Sequence, residues 1–120
     1  MNLQYARCLV YLGNLDKQAA FKSMQLQEAD KLQESADQAD KHYQEALRVY
    51  QQVVGKDQPD NAGILTNMGM VLQIKGDAAG ACDRYRDALA IYQKWGTFKP
   101  REQQLQDRIN QAMLQASGGV

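Results

Sequence analysis

The chain has 120 residues, 44% hydrophobic and 23% charged, and 14 Lys and Arg balance 14 Asp and Glu to a formal net charge of zero. That composition suits one modest globular domain and argues against a disordered chain. The charge balance supplies no net-basic surface for nucleic acid or for an anionic membrane.

Ala, Leu, Gln, Lys and Glu dominate, only Pro59 and Pro100 occur, and no alternating β-branched run marks a strand. The expected fold class is all-α, with residues 1–116 forming a single helical domain. In chain order, Leu3, Ala6, Leu9, Val10 and Leu12 predict a dense apolar helix over 2–12, and Leu12-Gly13-Asn14-Leu15-Asp16 reads as a turn. Helix formers then run without Gly or Pro to Val54. Within them Ala29, Leu32, Ala36, Ala39, Tyr43, Ala46, Tyr50 and Val53 step by three and four, a heptad seam. This predicts one long helix over 16–54, or two with a break near Ser35, which could cap a new start together with Gln38. As a single helix it would be about 58 Å long at 1.5 Å per residue and would overhang a shorter partner. Gly55 ends it, and Asp57-Gln58-Pro59-Asp60-Asn61 supplies a turn and an N-cap. Ile64, Leu65, Met68, Val71 and Leu72 predict a helix over 61–75. Gly76-Asp77 breaks that helix before another over 77–95. Pro100 opens a last helix over 100–116, with Leu105, Ile109, Ala112, Met113 and Ala116 on one face and polar residues opposite, as expected of a cap on a repeat array. Residues 117–120 form a tail.

The chain repeats itself. Ala39, Tyr43, Ala46, Leu47, Val49, Tyr50 and Gln51 recur as Ala81, Tyr85, Ala88, Leu89, Ile91, Tyr92 and Gln93, always 42 residues on. In each copy the alanines let a neighbouring helix approach while tyrosine and leucine fill the space beside it. Gly69 stands mid-helix, where glycine costs about 1 kcal/mol relative to alanine, so a close helix crossing is expected there.

Residues Ala62–Trp95 resemble a tetratricopeptide repeat. Leu65, Met68, Gly69 and Leu72 fall on its first helix, Gly76-Asp77 at its turn, and Ala81, Tyr85, Ala88 and Leu89 on its second. Ala39, Tyr43 and Ala46 place a second copy of that second helix, and the 42-residue spacing is similar to the longer variant of kinesin light chains. The resemblance implies helical hairpins stacked as a short right-handed solenoid that binds other proteins without catalysis.

The residue inventory agrees with that implication. Enzyme chemistry needs a convergent set of groups, and His42 is the one histidine, standing between Lys41 and Tyr43 with no partner base or nucleophile in sequence reach. Cys8 and Cys82 are too far apart for a zinc ligand pair, read as small core residues, and suit a reducing, cytoplasmic compartment. The start lacks the features of a secretory signal, and no apolar run reaches the roughly 18 residues of a membrane span. The Asp37/Asp40 and Asp83/Asp87 pairs read as helix-surface charges with nearby cations, and no nucleotide-binding or nucleophile motif occurs. No cofactor or metal is expected.

Candidate binding residues follow from the resemblance. Asn67 occupies a position used by several tetratricopeptide domains to hold a peptide backbone or terminal carboxylate, and Thr66, Gln73 and Arg7 would share its groove. A full carboxylate clamp also requires basic residues on neighbouring helices, which Arg7 alone does not provide. Repeat arrays usually need about three units, so the apolar face of the first helix, with Leu3, Leu9, Val10 and Leu12, is expected to dock on another copy, on a missing part of a longer protein or on a subunit of a large assembly. Two functions are expected: a scaffold or adaptor that captures a peptide or helix, and a structural subunit docked through its N-terminal and long helices.

Overall fold

The computed structural model describes residues 2–118; Met1 and the last two residues of the expected tail lie outside it. Among the described residues there are five helices and no strand: α1 Leu3–Gln25, α2 Ala29–Val54, α3 Pro59–Lys75, α4 Ala78–Trp95 and α5 Lys99–Ala116. Successive helices pack as neighbours, and α1 also touches α3, so the hairpins α1/α2 and α3/α4 stack with α5 closing the row. The all-helical repeat solenoid expected from the sequence is therefore present.

Local chemistry sets the breaks. Asn2 caps α1 by accepting the Tyr5 amide at 2.9 Å. Gly55, Gly76 and Gly96 end α2, α3 and α4 with φ of 96°, 92° and 74°, a region that costs glycine nothing. Pro59 and Pro100 sit in the first turns of α3 and α5, where a missing N–H leaves no bond unmade. Asp77 caps α4 through the Gly80 amide at 2.9 Å. Asn61, at the start of α3, is fully buried and donates to the Gly55 and Lys56 carbonyls at 2.6 and 2.9 Å, tying the linker back onto the second hairpin.

The N-terminal half corrects the sequence reading. The expected helices over 2–12 and 16–54 are instead 3–25 and 29–54: Leu12–Asp16 is continuous helix, the break lies at Leu26–Glu28, and α2 runs through Ser35 uninterrupted. Gly13 is a packing glycine. A Cβ there would stand 2.6 Å from the Tyr43 ring, and a Cβ on Gly69 would collide with the Tyr85 ring in the same way. Both rings are fully buried. The true turn carries no glycine; Gln27 takes the left-handed conformation, with φ of 58°.

The interior joins both hairpins. Ala39, Tyr43, Ala46, Leu65, Met68, Ala81, Tyr85 and Ala88 are buried in one core with Leu105, Ile109 and Ala112 of α5, and Leu72 packs half-buried against it. Met113, expected on the inner face of α5, is exposed, as is Ala116. Cys82 is buried as expected, but Cys8 is exposed, because its position on α1 faces away from α2. Leu9 belongs to the core, and Leu3 and Val10 pack against it, so of the four residues expected to dock only Leu12 is exposed.

Candidate peptide groove

α3 forms the floor of a groove walled by α1 on one side and α5 on the other. Three clefts follow one another along it. The first lies among Arg7, Val10, Asp60 and Arg101, the second among Lys17, Asn67, Met70, Gln104 and Arg108, and the third among Phe21, Met24, Ile74 and Gln115. α1 supplies its wall from Arg7, Val10, Lys17, Phe21 and Met24, whose steps of three, four and seven keep them on one face. At 17 residues α3 gives a floor about 25 Å long, enough for about seven residues of extended chain.

Asn67 lies at the centre, as the sequence resemblance placed it, but it is engaged within the free chain. Its carbonyl accepts from Lys17 Nζ at 2.8 Å, and its amide approaches Asn14 Oδ1 at 3.4 Å. Asn14 in turn accepts from the Tyr43 hydroxyl at 2.5 Å. Burial, helped by the charge of Asp16, pushes the Tyr43 phenol up, which keeps it a donor in this chain of bonds. The groove centre is thus fastened to the packing tyrosine of the first hairpin.

The other expected residues separate. Arg7 lines the neighbouring cleft and is exposed. Thr66 lines the central cleft but donates to the Ala62 carbonyl of its own helix at 2.8 Å. Gln73 accepts from the Tyr85 hydroxyl and donates to Gln115 at 3.1 Å, so it braces the far cleft rather than facing it free.

The structure adds Lys17, Arg101 and Arg108. Lys17 is half-buried; desolvation first, and the nearby Arg108 guanidinium second, hold its ammonium below the ordinary lysine range. Arg101 lies over the Tyr92 ring, 5.9 Å from its centroid, and donates to its hydroxyl at 3.2 Å. Among the described residues none of Arg7, Lys17, Arg101 and Arg108 forms an ion pair, and Asp60 is the one acid lining the three clefts. The basic residues that Arg7 alone could not provide come from the two walls.

The sequence held a signal for this set. Leu9-Val10-Tyr11-Leu12-Gly13 repeats as Leu65-Thr66-Asn67-Met68-Gly69, which puts Asn14 at the place of Met70, beside the groove. Leu105, Ile109 and Ala112 repeat Ile64, Met68 and Val71 at an offset of 41, which puts Arg108 at the place of Asn67. Other polar residues singled out in the sequence meet partners within the fold. His42 Nδ1 meets Asp16 at 2.6 Å across the first hairpin, and Asp37 and Asp40 hold Lys75 rather than a cation of their own helix. Asp83 pairs with Arg86 at 3.8 Å.

No helix among the described residues is long and apolar enough to cross a membrane. No curated protein matches the chain by sequence. The tetratricopeptide repeat family matches residues 24–94, which span α2, α3 and α4, the part where the paired alanines and the buried tyrosines recur. The chain belongs to the tetratricopeptide repeat family, whose repeats mediate contacts between proteins.

Proposed function

We propose that the chain is a non-enzymatic adaptor that holds an extended, carboxylate-bearing peptide of a partner protein in the groove between α1, α3 and α5. The observation that carries this reading is the collection of four cations without carboxylate partners in one groove of a chain whose net charge is zero. Lys17 and Arg108 repel one another there, and a peptide carboxylate between them would relieve that repulsion and recover part of the cost of burying Lys17. Asn67 offers its amide group to the peptide backbone, and Phe21, Met24 and Ile74 offer an apolar end to the same track. The partner segment best suited is therefore acidic, with an apolar side chain beyond its carboxylates. Within the family, the 42-residue spacing supports the longer variant typified by kinesin light chains, since α3 and α4 run 17 and 18 residues.

The test is fluorescence anisotropy with labelled seven-residue peptides, acidic and apolar against the same sequences with lysine for each acid. Binding of the acidic peptide, weakening with salt, is expected. Arg108→Glu should lower affinity by at least about tenfold, the scale of one charge-assisted bond, and Asn67→Ala by less. The bound carboxylate favours the charged form of Lys17, so the affinity should fall as rising pH deprotonates it; burial and Arg108 start that loss in the free chain earlier than for an ordinary lysine. Equal binding of acidic and basic peptides would refute the reading.

A further inference from the structure

α1 presents three faces, and only two are used. Ala6, Leu9, Gly13 and Ala20 are buried in the hairpin, while Arg7, Val10, Lys17, Phe21 and Met24 line the groove. The third face carries Tyr5, Cys8, Leu12, Leu15, Ala19, Lys22 and, at the turn, Leu26, a strict alternation of three and four residues. Tyr5, Leu12 and Leu15 are 45%, 42% and 45% exposed, and Leu26 is 57% exposed.

The repeat shows what such a face is for. Aligned on the two packing glycines, Tyr5, Cys8, Leu12 and Leu15 fall on Asn61, Ile64, Met68 and Val71, all of which are buried. Asn61 is bonded to Gly55 and Lys56 at the end of α2, so this is the stripe that α3 turns toward the preceding helix. The matching residues of α5, Leu105, Ile109 and Ala112, are buried as well, with the Cys82 thiol of α4 3.8 Å from the Ile109 carbonyl. Two of the three equivalent stripes are covered by a helix, and the stripe on α1 is open.

We propose that a second copy of this chain covers it, α1 against α1, antiparallel about a two-fold axis between Leu12 and Leu15. The stripe is complementary to itself in that register. Leu12 meets Leu15, the small Cys8 meets the small Ala19, and Tyr5 meets Lys22, so large faces large, small faces small, and the single charge in the stripe lies against an aromatic ring. The stripe holds no second ionisable charge to clash across the axis. The opposite end of the row does not offer an alternative. The outer side of α5 is polar over most of its length, Gln103 bonding Asp107 at 3.0 Å and Gln106 bonding Asn110 at 3.2 Å, with the exposed Met113 and Leu114 confined to its last turn. Head-to-tail stacking would set most of the apolar stripe on amides and carboxylates, whereas the two-fold sets all of it on itself. The product is a four-helix layer of two hairpins, with both grooves left open because they lie on a different face of α1.

The experiment is sedimentation velocity over roughly 1 to roughly 500 µM, a range spanning weak to moderate dimers, on the chain and on Leu12→Glu/Leu15→Glu. Circular dichroism should show equal helicity, since both leucines are exposed. The chain is expected to double its mass within that range, and the variant to stay monomeric while binding the acidic peptide unchanged. Ala19→Cys, treated with diamide as the two-electron oxidant, should form an intermolecular disulfide between the introduced thiol and Cys8, a pairing read by peptide mapping. A chain that stays monomeric throughout overturns the proposal, and so does a Cys8–Cys8 link or growth beyond two copies. Loss of peptide binding with retention of the dimer would instead count against the groove reading alone.

Discussion

The two hairpins solve one packing problem at two lengths. In each, a glycine on the first helix admits a tyrosine ring from the second, and the tyrosine hydroxyl reaches back to an amide side chain on the first helix, Asn14 for Tyr43 and Gln73 for Tyr85. Tyr85 lies 16 positions after Gly69, and Tyr43 lies 30 after Gly13. The extra fourteen are two heptads, and they divide almost evenly between α1 and α2, which reach 23 and 26 residues against 17 and 18 for α3 and α4. A heptad added to each side returns both apolar stripes to nearly the same angle, so the hairpin lengthens by two turns without changing which faces meet. The longer hairpin therefore carries two more turns of helix between its tyrosine and its loop, whereas the shorter one depends more on the ring itself.

The largest effect that could break this comparison is removal of a ring. Tyr85→Ala and Tyr43→Ala each delete a fully buried aromatic, and losses of about 3–5 kcal/mol are expected from the cavity and the orphaned amide. The short hairpin should lose more, so urea melts should place Tyr85→Ala below Tyr43→Ala. The reverse order would show that the overhang adds nothing to the first hairpin. A smaller effect follows from adding a methyl group. Gly13→Ala and Gly69→Ala force a Cβ into rings that have no free space to enter, and overpacking of this kind costs about 1–3 kcal/mol. At an ordinary solvent-facing helix position the same change would stabilise by about 1 kcal/mol. The sign of the shift in melting temperature at Gly13 thus separates a packing glycine from an ordinary solvent-facing helix glycine.

That glycine also marks how much the sequence disclosed. The second hairpin was legible because its turn is punctuated by Gly76 with positive φ and an Asp77 cap, signals that depend on local chemistry alone. The first hairpin turns at Leu26-Gln27-Glu28, with no glycine or proline, and its one conspicuous glycine lies within a helix. Reading Gly13 as a stop therefore moved the break by about four turns of helix. The same error hid the groove. With α1 ending near residue 12, Asn14 and Lys17 fall outside the wall, and Asn67 is left with Arg7 as its sole basic neighbour. Arg101 and Arg108 were missed for a different reason. Arg108 is marked only by the faint 41-residue repeat of α3 in α5, and Arg101 only by the packing of α5 on α4, which leaves no mark on local spacing.

The weakest tie tested joins the two lengths directly. Lys75, at the end of the short α3, reaches Asp37 and Asp40 on the part of α2 that begins the overhang, at 3.1 and 3.0 Å. Burial pulls the Lys75 ammonium down, but its hydrogen bonds to Asp40 and Asp37 outweigh burial and leave it raised overall. The Lys75 hydrogen bond, followed by that from Gln33, holds the Asp37 carboxyl below the usual carboxylate range. The depressed acid contributes stability above its unfolded value and loses it as pH falls through the folded one. The raised lysine contributes below its unfolded value and loses it as pH rises through the folded one. Lys75→Met should therefore cost at most about 1 kcal/mol near neutrality, as expected of a partly exposed pair. Its deficit should shrink in high salt, in acid below the carboxylate range and in alkali above the lysine range. Melting curves of the two chains at pH 2, 7 and 11, compared as differences, would show that pattern, since acid and alkali each remove one side of the pair. A deficit that persists unchanged at pH 2 would mean that Lys75 supports the overhang through its aliphatic stem, and that packing alone couples the long hairpin to the short one.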